Sequence, residues 1–172
     1  MIAARHPALA VELNQPCARW RRELPGAARL SVAAARAAVA GAGKALAAPA
    51  ELSLVLGDDG LLRRLNRLWR GRDEPTNVLS FPAEDGRPRA ADAPLLLGDV
   101  VLAFETVALE ARAQGKPLAD HLRHLVVHGV LHLLGYDHAR AAEARRMEAL
   151  ERRVLCRLGV ADPYRQPEAS HG

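Results

Sequence analysis

The sequence is poor in aromatic residues, with two each of Trp, Tyr and Phe among 172 positions. It is equally poor in cysteine. Cys17 and Cys156 stand far apart and make no C-x-x-C pair, which argues against a disulfide framework and a thiolate metal site and suits a reducing compartment. No stretch reaches the roughly 20 apolar residues of a membrane-spanning helix. The first residues, MIAARHPALAVELNQPCARW, hold no long apolar run followed by a cleavage site. Neither export nor membrane insertion is expected, and the chain reads as a cytoplasmic protein. No internal repeat and no strong linker interrupts it. A single domain over residues 1–164 is the simplest division, with a polar tail, 165–172, expected to be disordered.

What is present is an ordinary globular balance, 49% apolar and 26% charged residues, sufficient for a sizeable core at this length. Lys and Arg number 24 against 20 Asp and Glu, a formal net charge of +4. That excess is compatible with a polyanionic partner without requiring one. Alternating or apolar runs predict strands at 8–13, 51–56, 77–81 and 95–103. Ser31 reads as the N-cap of an alanine-rich helix reaching about Ala47, and Asp58 as the cap of a helix over about 60–69 that Gly71 ends. Further helices are predicted over about 105–114, 118–134 and 139–158. Residues 14–30 read as an irregular connection and 83–94 as a flexible loop. Strands early and helices late give an α+β fold, a small mixed β-sheet of about four strands packed with about five helices.

Five of the seven histidines fall between His121 and His138. On a helix His128 and His132 lie one turn apart, with roughly 6 Å of rise and nearly the same face. Gly135 can take a left-handed conformation and bring His138 back towards them. Three imidazoles then cradle one divalent ion, best suited to Zn2+, with a fourth position open, the arrangement of a catalytic site. His124 shares the face but stands about 12 Å of rise from His132, too far to join it on one ion. It is placed in a supporting role, and His121 as a partly exposed helix residue. Asp137 could orient a histidine or stabilise the turn.

The spacing H-x-x-x-H-x-x-G-x-x-H is also the ligand skeleton of the metzincin proteases, which place a glutamate directly after the first histidine as general base. Here that position is Gly129. The skeleton therefore points to a zincin-like metal-dependent hydrolase arrangement without the peptidase base.

The segment HGVLHLLGYDH (128–138) resembles the signature of the YbeY family, the bacterial rRNA-maturation endoribonucleases. LNRLWRGRDEPTNVLSFP (65–82), LLGDVVL (96–102), QGKPL (114–118) and GVADPY (159–164) are similar to further blocks of that family, in the same order. Coverage runs from about Leu52 to Tyr164, and Trp69 stands where tyrosine is more usual. The resemblance implies a single-strand-specific, metal-dependent RNase acting on small-subunit rRNA and in ribosome quality control. It implies His128, His132 and His138 as metal ligands and Arg70 as the functional arginine. It also implies RNA, and the ribosome or its small subunit, as partners.

A bound metal and a guanidinium suit phosphodiester chemistry, because the arginine can pair with two phosphate oxygens as charge grows on them. Read without the family, Arg70 is a solvated cation at a helix end. Arg63, Arg67 and Arg70 fall on one helical stripe, either tracking an RNA backbone or forming a solvated face. With six aromatic residues and no evident stacking platform, recognition is expected to rest on phosphate contacts and shape. Two alternatives stay open: a hydrolase of another bond, such as a peptidase or amidohydrolase, and a ribosome-assembly protein whose zinc is mainly structural.

Overall fold

The computed structural model describes residues 9–43, 49–83 and 93–165. Most of the expected 83–94 loop, the end of the helix expected to reach Ala47, and all but Arg165 of the expected tail lie outside them. Four strands form one mixed sheet: β1 (Leu9–Asn14), β2 (Ala50–Gly57), β3 (Val78–Pro82) and β4 (Leu95–Ala103), in the order β1-β2-β4-β3. β1, β2 and β4 run parallel, and β3 closes one side antiparallel to β4, with Ser80 opposite Val100.

The alternation within each strand decides its faces. Leu52, Leu54, Leu56, Val100 and Leu102 turn to the main core, which helices cover. These are α1 (Ala18–Glu23), α2 (Ala27–Gly41), α4 (Phe104–Ala113), α5 (Leu118–Leu133) and α6 (Ala141–Arg157). On the opposite face α3 (Asp59–Arg70) lays Leu61, Leu62 and Leu65 against Leu79, Phe81, Val101 and Ala103, a smaller second core. The fold is thus α+β with four strands, as expected, and six helices among the described residues rather than about five.

The additional helix is α1, in the stretch expected to be irregular. Its sequence, ARWRRE, has no side-chain cap, and tertiary contact rather than propensity holds it. Trp20 is fully buried, donates its indole N–H to the Gly57 carbonyl at 2.9 Å and meets the Phe104 ring edge-on at 5.0 Å. Ser31 likewise is no cap. α2 already begins at Ala27, and Ser31 sits inside it, fully buried beside Ala27, Ala34, Ala35 and Ala38. Asp58 does cap α3, accepting from the Leu61 N–H at 2.8 Å, and Gly71 ends it at φ 68°.

α5 lies at the centre, packed on α2, α4, α6, β3 and β4. It approaches the sheet at Gly129, which is buried. A Cβ there would stand 2.7 Å from Val100 Cγ1 and 3.1 Å from Ser80 Oγ, and the Gly129 carbonyl accepts from Ser80 Oγ at 2.9 Å. The position that carries the glutamate in metzincins is therefore filled here by the sheet. Gly129→Ala gains up to about 1 kcal/mol of helix propensity against an overpacking cost of about 1–3 kcal/mol. Thermal denaturation should show a net loss near 1 kcal/mol, a melting temperature lower by roughly 2–4 °C.

Candidate metal centre

His128 and His132 project from the last turns of α5. The helix then stops at Leu134, where the Gly135 N–H bonds the His132 carbonyl at 3.0 Å and the Tyr136 N–H bonds the Leu131 carbonyl at 3.1 Å. Gly135 has φ 93°, a conformation a side chain would strain. The reversed chain is pinned to α2 by the Tyr136 hydroxyl, which donates to the Ala42 carbonyl at 2.8 Å. Asp137 Oδ1 accepts the N–H of His138 at 2.7 Å, so Asp137 shapes this turn.

The outcome is convergence. His128, His132 and His138 each offer a ligand atom, and these atoms all lie within 4.8 Å of one another. The Nε2 atoms of His128 and His132 are 3.1 Å apart. Two nitrogens on one tetrahedral zinc, each bonded at about 2.0–2.1 Å, stand roughly 3.3 Å apart. The donor set therefore fits a divalent ion with little movement. The three rings line an open cleft of about 620 Å³ shared with Arg70, Asn77, Val78, Ser80 and Pro82.

The support beneath the histidines is a glutamate that spacing alone does not reveal. Glu151 on α6 is fully buried, and its Oε1 lies 2.5 Å from His128 Nδ1. Its Oε2 lies 3.4 Å from His124 Nε2 and accepts a hydrogen bond from the Tyr164 hydroxyl. Burial pushes this carboxyl upward, but the bonds from His124, His128 and Tyr164 outweigh it and hold it at about 2, ionised. An ionised acceptor fixes the proton of His128 on Nδ1 and turns the Nε2 lone pair into the cleft, the usual backing for a metal-binding imidazole. His132 titrates below its ordinary value, first because it is half-buried and then because His128 and His138 lie beside it. That favours the neutral form a ligand requires.

One signal for Glu151 does exist in the sequence. Met147, Leu150, Glu151, Val154 and Leu155 form the buried stripe of α6, and a carboxylate inside an apolar stripe calls for a partner. His121 differs from expectation too. It is buried, with Nε2 3.0 Å from Glu110 Oε1, and burial lowers its pKa. Glu110 also accepts from Asn77 Nδ2 at 2.9 Å, so His121 braces the start of β3 rather than facing solvent.

Arg70 reaches the cleft from the last turn of α3, exposed and without an ion-pair partner among the described residues. Arg63, by contrast, is engaged. Its Nε and Nη2 donate to the two Asp73 oxygens at 2.9 and 3.1 Å. Together with Asn66 Nδ2, which donates to the Glu74 carbonyl at 2.9 Å, that pair ties the segment after Gly71 back onto α3. Arg67 lies exposed on the same helix, where its charge also acts on Asp73.

A mixed sheet backed by helices, with three imidazoles meeting in an open cleft beside an exposed guanidinium, defines an α+β protein with a metal-competent, anion-facing site. The family model described as Endoribonuclease YbeY matches residues 26–159. The chain is 55% identical over 157 residues to the Endoribonuclease YbeY of Paramagnetospirillum magneticum, covering 90% of this chain and 94% of that protein. It is 54% identical over 172 residues to the protein of the same name from Alkalilimnicola ehrlichii, covering 98% and 99%. The solution structure of TM1509 from Thermotoga maritima is 20% identical with a TM-score of 0.49, covering 92% of this chain and 99% of that one. The chain belongs to the YbeY endoribonuclease family.

Proposed function

We propose that this chain, an endoribonuclease by family, cuts single-stranded stretches of ribosomal RNA precursor at a zinc ion held by His128, His132 and His138. The observation that carries the reading is the Arg70 guanidinium, without an ion-pair partner among the described residues, in the cleft that the three imidazoles line. Three neutral nitrogens and an open side suit zinc in a catalytic setting. When bound, the ion supplies Lewis acidity, polarising a phosphoryl oxygen and lowering the pKa of water. The chain's own residues supply the rest. Glu151 orients His128, the Gly135 turn places His138, and Arg70 pairs with phosphate oxygens and opposes their growing charge.

A peptidase reading lacks its base, since Gly129 is where that carboxylate would stand and the sheet leaves no room for it. The net charge of +4 suits a polyanionic substrate. No helix among the described residues is long and apolar enough to cross a membrane, which fits work on ribosomes in the cytoplasm, including their quality control. Zinc-loaded protein should be given labelled single-stranded RNA, the same RNA as a duplex, and casein. Cleavage confined to the single strand is the expected result. Cut casein beside intact RNA would overturn the reading.

A further inference from the structure

We propose that Trp69, backed by Phe81, is a stacking platform for a base of the bound strand, next to the phosphate held by Arg70; this rests on the RNA reading above. Tryptophan is usually well buried, yet Trp69 is 66% exposed at the end of α3. Its ring is not left loose. It meets the half-buried Phe81 ring at 6.3 Å with an interplanar angle of 56°, and Phe81 is itself packed into the core beneath α3. The indole is thus steadied by a tilted aromatic neighbour while much of it stays open to solvent.

Position ties this pair to the cleft. Trp69 directly precedes Arg70, and Phe81 lies between Ser80 and Pro82; all three of those neighbours line the cleft. Alternation along β3 sends Ser80 and Pro82 to the histidine side and Phe81 to the other. β3 is the end strand of the sheet. A nucleic-acid strand leaving the cleft over that edge passes from Arg70 onto the indole.

The surrounding charge selects the occupant. Arg67, Arg70 and Arg72 surround Trp69 in the sequence, and the nearby Asp73 is already neutralised by Arg63. Bases alternate with phosphates, so an aromatic face among guanidinium groups matches a single strand. It matches a duplex poorly, because paired bases are not free to stack on a side chain. Leu68, also exposed, points about 100° away around the helix and does not extend the platform.

The two tryptophans make a direct test possible, since Trp20 is fully buried and Trp69 is not. Titrating zinc-loaded protein with a 2′-O-methyl single strand, verified intact after the titration, should quench the exposed tryptophan emission to saturation. The matched duplex should not. Trp69→Ala should weaken single-strand binding by about tenfold or more, raising KM while largely sparing kcat, and Trp69→Phe should recover most of the affinity. Unquenched emission, with unchanged affinity and KM in Trp69→Ala, would overturn the platform while leaving RNA cleavage standing. A wild-type protein that cuts no RNA would instead overturn the underlying reading.

Discussion

Replacing Arg70 by alanine should lower the rate of RNA cleavage by about two to three orders of magnitude, the usual loss when a donor to developing charge is removed. Zinc content should stay full, because the ligand atoms come from α5 and its turn and no part of Arg70 supports them. Stability should change by no more than about 0.5 kcal/mol, as expected of an exposed side chain with no ion-pair partner among the described residues. The pairing of Arg63 with Asp73 and of Asn66 with the Glu74 carbonyl leaves the base from which Arg70 extends in place. Arg70→Lys should recover only part of the rate, since a point charge replaces the planar two-pronged donor. Steady-state cleavage by the wild type and both variants, at verified zinc stoichiometry, checks these rates. Full activity in Arg70→Ala would remove the arginine from the chemistry.

That contrast between Arg63 and Arg70 shows what sequence spacing can and cannot carry. Both lie on one stripe of α3, and periodicity treats them alike. Only the chain's return after Gly71 brings Asp73 under Arg63 and leaves Arg70 over the cleft. The histidine site was legible because helix, glycine turn and third ligand all lie within eleven consecutive residues, where local geometry decides. Glu151 comes from another helix, and its ionisation depends on His124, His128 and Tyr164 meeting it in space. The strands and the longer helices followed from alternation and apolar stripes. α1 did not, since its six residues are helical through the burial of Trp20 rather than through any pattern of their own.

The same dependence on distant contact makes Glu151 the position where fold and site should fail together. In Glu151→Ala, His128 Nδ1–H loses its acceptor and is free to take the other tautomer, which directs a proton rather than a lone pair into the cleft. The Tyr164 hydroxyl and His124 lose their shared partner as well. Backing carboxylates of metal-binding histidines are worth about 10- to 100-fold in metal affinity, and the loss here should fall in that range. Unpaired buried polar groups and the vacated volume should together cost about 3 kcal/mol, lowering the melting temperature by roughly 6–12 °C. Glu151→Gln separates the two effects. Its volume is retained and its carbonyl can still accept from His128, so most of the stability should return. Its neutral oxygen is a weaker acceptor than a carboxylate, so the imidazole is less basic and zinc affinity should stay below wild type. Chelator competition for zinc, read beside thermal denaturation of the metal-free protein, distinguishes these outcomes. Wild-type affinity in Glu151→Gln would mean that packing alone, and not the ionised carboxylate, holds His128 to the metal.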